Sequence, residues 1–163
     1  MDGTVRVQFK DTKEYEIPKR DIMLSDVVKN QLKDYDNSVP FQFPEIDEKT
    51  ADKVLEYLSH YGGEVPQEIE KPLASGDMKN VTDEWSANFV DKIPLDDLVN
   101  LTIAAKYMKI NHLLDLCCAK FASICKDKTG DEIFKVFNIN ETFTEDEKNQ
   151  MREENKWIEE NLI

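Results

Sequence analysis

Residues 94–126 read PLDDLVNLTIAAKYMKINHLLDLCCAKFASICK, and they decide the fold. Pro94 suits a first helical position, where the missing N–H has no intrahelical partner anyway, and Asp96 and Asp97 suit the positive end of the helix. Apolar residues then fall on two faces. Leu95, Leu98, Val99 and Thr102 form one stripe, and Leu101, Ala104, Ala105 and Met108 form another. After Lys109-Ile110, Asn111 is placed to cap a second helix running to Lys126. That helix is apolar almost all round, with Leu113, Leu114, Leu116, Cys117, Cys118, Phe121, Ala122, Ile124 and Cys125, so it is expected to be buried on most sides. A core built by a small domain of about 110 residues leaves part of it uncovered. An uncovered apolar face on such a hairpin is a binding surface or an oligomer interface.

Upstream, Val5, Val7 and Phe9 alternate with polar residues. Tyr15 and Ile17 do so again after the polar turn Lys10–Lys13, which predicts a β-hairpin with one buried face. Val39, Phe41 and Phe43, bracketed by Pro40 and Pro44, predict a short edge strand, since proline cannot donate to a ladder. Ser25–Tyr35 carries a short amphipathic helix. Asp47–Tyr61 places Ala51, Val54, Leu55 and Leu58 on one helical face. Residues 62–83 lose periodicity and collect Gly62, Gly63, Pro66, Pro72 and Gly76, which predicts a mobile loop. The expected fold is thus α+β, with a core spanning 1–126.

Downstream, Thr129-Gly-Asp-Glu132 and Thr144-Glu-Asp-Glu147 are two capping boxes, each with an acidic first turn. Between Thr144 and Lys156 the only apolar residue is Met151, and Trp157-Ile158 follows. A helix that polar has no stripe with which to hold itself on a core. Residues 127–163 therefore read as a tail built for a partner, with 144–163 expected to become ordered when the partner binds.

The formal charge of −13 argues against a nucleic-acid footprint and against anionic membranes, both of which need clustered Lys and Arg. Residues 131–163 carry ten acidic against four basic side chains, which also suits a plainly solvated surface. The three cysteines share one helix; Cys118 and Cys125 lie about 10 Å apart along it, too far to bridge. Reduced thiols are expected, and with them a cytoplasmic or nuclear location. The chain has no apolar leader after Met1 and no run of about 18 apolar residues. No phosphate loop, zinc motif or nucleophile motif occurs, and His60 and His112 are the only histidines. His112 near Asp115 is a helix-start histidine without a nucleophile. Neither enzyme activity nor a metal or other cofactor is expected.

Ala104-Ala105-Lys106-Tyr107-Met108-Lys109-Ile110 and Leu113-Leu114-Asp115 resemble the AANYLDIKGLLD segment of the Skp-type adaptors of SCF ubiquitin ligases. KDKTGDEIFKVFNIN (126–140) and FTEDEKNQMREENKWIEE (143–160) resemble the C-terminal extension of that family nearly position for position. Elongin C, which shares the core but lacks the extension, is the poorer match. The resemblance implies a BTB/POZ core, a small mixed β-sheet flanked by helices, over 1–126, and a two-helix F-box-binding extension over 127–163. It implies a non-enzymatic adaptor that joins a cullin, and through it a RING subunit, to F-box proteins. Carried over by position, it nominates Val99, Ile103, Leu114, Cys118, Phe121, Phe137, Ile139 and Trp157 for F-box binding. For the cullin it nominates Val39, Pro40, Lys106 and Tyr107. Lys106 departs from the family's asparagine, and Gly130 from a proline that some protist relatives hydroxylate and glycosylate. The other readings are an F-box-binding structural subunit outside ubiquitin ligases, as in a kinetochore complex, and a homodimer formed through the same apolar face.

Overall fold

Alternating Val5 and Val7 pair with Ile17 and Tyr15 because each strand has one apolar face to bury. Thr4–Phe9 (β1) and Glu14–Pro18 (β2) are antiparallel, with Val5 opposite Ile17 and Val7 opposite Tyr15. Phe41–Phe43 (β3) lies on the other side of β1 and parallel to it, Val7 against Phe41 and Phe9 against Phe43, giving the order β2-β1-β3. A parallel pairing needs a crossover. Lys19–Ile22 (α1), Asp26–Gln31 (α2) and a 3-10 turn at Leu32–Asp34 supply it. This computed structural model describes residues 3–10, 13–138 and 144–161, the last without the side chains of 155 and 157–161.

Glu48–Tyr61 (α3) starts at Asp47, whose carboxylate accepts from the Thr50 N–H at 2.8 Å, and buries Ala51, Val54, Tyr57 and Leu58. It ends at Gly62 and Gly63, both at positive φ. A Cβ on Gly63 would sit 2.3 Å from the Arg20 carbonyl oxygen, so only glycine fits there. Glu84–Asp91 (α4) starts at Asp83, which accepts from the Ser86 N–H. Its Trp85 and Phe89 join Tyr57 in an aromatic cluster, and the His60 ring lies flat on Trp85, 3.6 Å between centroids.

The segment 62–83 has more structure than its composition predicts. A 3-10 turn at Met78–Asn80 buries Met78, and Ile69 and Leu73 pack on the core. Single apolar residues at irregular spacing anchor it, and irregular spacing leaves no periodic signal.

Leu95–Met108 (α5) and Asn111–Cys125 (α6) form the expected hairpin. Two details differ. Pro94 is the residue before the helix rather than its first, with extended ψ of 151°, and Ile110 rather than Asn111 stands at the cap of α6. The Asn111 amide instead donates to the Asp26 carboxylate at 3.0 Å. The stripes of α5 also divide differently. Leu98, Leu101, Ala104, Ala105 and Met108 are buried together, whereas Val99 is left outside.

The chain divides into two compact units, residues 1–126 and 127–163. In the second, Gly130–Val136 (α7) begins with both hydrogen bonds of the Thr129/Glu132 capping box. Glu145–Asn161 (α8) has the same reciprocal pair between Thr144 and Glu147, at 3.3 and 2.8 Å.

Candidate partner-binding surfaces

The first surface is the C-terminal end of α5. Lys109 adopts the left-handed conformation (φ 51°), which turns the chain sharply, and the Ile110 N–H donates back to the Ala105 carbonyl at 2.9 Å. Ser25, fully buried, fixes this end from below: its hydroxyl donates to the Met108 carbonyl at 2.6 Å. The Asp26 N–H donates to the Lys109 carbonyl. These bonds hold Lys106 and Tyr107 outward. Tyr107 is 48% exposed and meets the Phe43 ring of β3 edge-on, 5.9 Å between centroids. Val99 and Ile103, 42% and 57% exposed, precede Tyr107 at steps of four along the helix, so the three form one apolar row on solvent. Val39 is exposed and Pro40 half-buried at the start of the strand whose Phe43 supports Tyr107.

Of the residues that the resemblance nominates for the cullin, the structure links Tyr107 to the β3 strand and leaves Lys106 exposed beside it. Val99 and Ile103, nominated for the F-box, fall in the Tyr107 row.

The second surface lies on α6. Leu113, Leu116, Cys117 and Ala119 face the core, leaving Cys118 exposed and Leu114 and Phe121 half-buried against the core's edge. A groove of about 520 Å³ runs beside Cys118, Ala119, Ala122 and Cys125, and its opposite wall is Ile69, Pro72 and Leu73. Lys71 Nζ reaches across to Asp115 Oδ1 at 3.0 Å. Periodicity analysis missed this wall; the only signal was three apolar residues within a charged loop. The Asp115 carboxylate, paired with Lys71, does not serve His112 as a dyad would require. Burial pushes the Cys117 thiol up to about 12, which keeps it protonated at neutral pH.

In the C-terminal unit, Phe137 is half-buried at the end of α7, beside exposed Val136. Ile139 lies outside the described residues. Trp157 lies on the described backbone of α8, with its side chain outside the described residues. Among the described residues, no helix is long and apolar enough to cross a membrane.

A three-stranded mixed sheet between helices, continued by a helical C-terminal unit, defines a POZ-type protein. Residues 4–62 match the Skp1 family tetramerisation domain, and residues 111–158 match the Skp1 family dimerisation domain. An S-phase kinase-associated protein 1 homolog of Tetrahymena thermophila is 41% identical over 136 residues, 83% of this chain and 82% of that protein. The SCF ubiquitin ligase complex protein SKP1b of Dictyostelium discoideum is 34% identical over 95% of both chains. The E3 ubiquitin ligase complex SCF subunit sconC of Arthroderma benhamiae is 34% identical over 91% of this chain and 88% of its own. The chain belongs to the Skp1 family.

Proposed function

We propose that the protein is a non-enzymatic adaptor of an SCF ubiquitin ligase, holding an F-box protein on one surface and a cullin on another. The observation that carries this reading is the pair of separate exposed apolar surfaces, one on α5 and one on α6, in a chain whose relatives bear SCF-subunit names. Its mechanism is proximity: two sites on one protein raise the effective concentration of substrate near the transferring machinery.

Val39, Pro40, Lys106 and Tyr107 belong to the cullin surface in this reading. Val99 and Ile103 join it, because a row continuous with Tyr107 is covered by the partner that covers Tyr107. Leu114, Cys118 and Phe121 on α6 are assigned to the F-box, and so, within the C-terminal unit, are Phe137, Ile139 and Trp157. The domain division is core to residue 126 and F-box-binding extension from 127, and the site of action is the cytoplasm and nucleus. The homodimer remains the second reading, favoured by the exposed Val99–Ile103–Tyr107 row.

Capture of the tagged full chain from its own cells tests this. Co-purification of both a cullin and F-box proteins is expected. Recovery of F-box proteins without a cullin would support a structural subunit outside ubiquitin ligases, and recovery of neither would overturn the adaptor.

A further inference from the structure

The exposed row on α5 has a charged neighbour. Lys106 is solvent-exposed and abuts Tyr107 in sequence, and no ion pair holds it among the described residues. Lys106 therefore sets an unpaired positive charge directly beside an exposed aromatic. The acidic residues of α5 stand at its other end. Asp96 and Asp97 are about ten residues, or roughly 15 Å, from Lys106, and Asp97 is already 2.7 Å from Lys49. That separation exceeds the screening length of about 8 Å at physiological salt. Asp26, whose N–H bonds the Lys109 carbonyl, takes the Asn111 amide on its carboxylate. Lys109, one residue past the helix, adds a second exposed cation at this end.

A lysine stem can lie along the apolar row, but its ammonium stays hydrated unless a counter-charge replaces the water. A partner that covers Tyr107 must cover or skirt Lys106. A purely apolar patch would strand the charge, and a basic patch would repel it.

We propose that Lys106 is a specificity determinant on the cullin surface, selecting a scaffold that presents a carboxylate side chain opposite the C-terminal end of α5. This rests on the reading of the α5 row as the cullin surface. The helix dipole also favours a cation in this last turn, but that contribution is internal to the protein and shows in its melting, not in its binding.

The test is titration of the full chain against the full-length cullin of the same organism, comparing wild type with Lys106→Met, Lys106→Asn and Lys106→Glu. Each is measured from low to high salt (about 0.05 to about 0.5 M, screening lengths of roughly 14 to 4 Å). Lys106→Glu should weaken binding at least about tenfold at low salt, and Lys106→Met, which keeps the stem, about threefold or more. Both gaps should narrow as salt rises, with F-box affinity unchanged. Equal or tighter cullin binding by Lys106→Met and Lys106→Asn at every salt would overturn the proposal while leaving the adaptor intact. A wild type that binds F-box protein but no cullin would sink the cullin surface itself, and this proposal with it.

Discussion

Tyr107 is the residue through which the α5 surface is best probed. Replacing it with alanine removes a ring that is half in the protein, edge-on to Phe43, and half in water. Tyrosine presents roughly 200 Å² of surface, so a partner that covers the 48% left exposed removes about 100 Å² from water. At about 25 cal/mol per Å² this is about 2.5 kcal/mol, or about seventyfold in Kd. The buried half matters to the free protein instead: losing the ring pair costs about 0.5–1.5 kcal/mol beyond the area lost, a modest fall in Tm. Titration calorimetry with the cullin and with an F-box protein separates the two effects, with thermal melting as the control. Cullin affinity should fall between about thirtyfold and a hundredfold, with F-box affinity within a factor of about two. Tyr107→Lys should weaken the cullin further, since it replaces an aromatic contact buried by the partner with a charge that must be desolvated. Equal loss of both partners would mean that the variant damages the fold. An unchanged cullin affinity would mean that the row faces something else.

The cysteines should react in a fixed order: alkylation at mildly alkaline pH should label exposed Cys118 first and leave Cys117 until the protein unfolds, because burial holds its thiol near 12. Mass spectrometry finding Cys117 labelled as fast as Cys118 would mean that α6 opens freely. Asp47→Ala should destabilise the core by about 1 kcal/mol at neutral pH through loss of the α3 cap. The Thr50 N–H holds the Asp47 carboxyl below its ordinary 3.8, so its contribution is complete above the unfolded value and lost as pH falls through the lower folded one; the gap between wild type and variant should close below about pH 4, and a gap flat with pH would contradict the capping role. Trp157→Ala should weaken F-box binding at least about tenfold with little change in core melting, by the roughly 3–5 kcal/mol cost of truncating a packed Trp. Amide exchange on Glu147–Glu154 should slow when the F-box protein binds; strong protection in the free chain would refute coupled ordering. Sedimentation at hundreds of micromolar should show self-association through the open α5 and α6 surfaces, and a clean monomer would count against both as sticky faces.

How much of the fold is legible in the sequence follows from the physics of each segment. Strict alternation at Val5, Val7 and Phe9 admits one strand register, because a one-residue slip would turn all three into water. Capping boxes need only four residues, so Thr129–Glu132 and Thr144–Glu147 were legible locally. The parallel partner of β1 was not, since nothing in Phe41-Gln42-Phe43 says which edge it takes. Nor was the wall Ile69–Leu73, whose apolar residues are held by long-range contacts with α6 rather than by a periodic backbone.

The division of α5 shows why site residues are harder to read than folds. Helical spacing puts Val99, Ile103 and Tyr107 on one face regardless of context, yet periodicity alone gave Val99 to the wrong stripe. What decides the matter is where the neighbouring helices lie. With α3 and α6 both packed on α5, Leu98, Leu101 and Ala105 are buried and the row Val99, Ile103 and Tyr107 is left to solvent, and only the tertiary fold carries that information. Once the row is seen whole, two partners cannot share it without one covering Tyr107 and the other stopping a single turn away, about 5 Å. A folded domain spans several turns, which favours one partner over the whole row. Ile103→Asp is therefore the discriminating change between the two assignments of Val99 and Ile103: loss of cullin affinity alone groups Ile103 with Tyr107, and loss of F-box affinity alone groups it with Cys118 on the groove of α6.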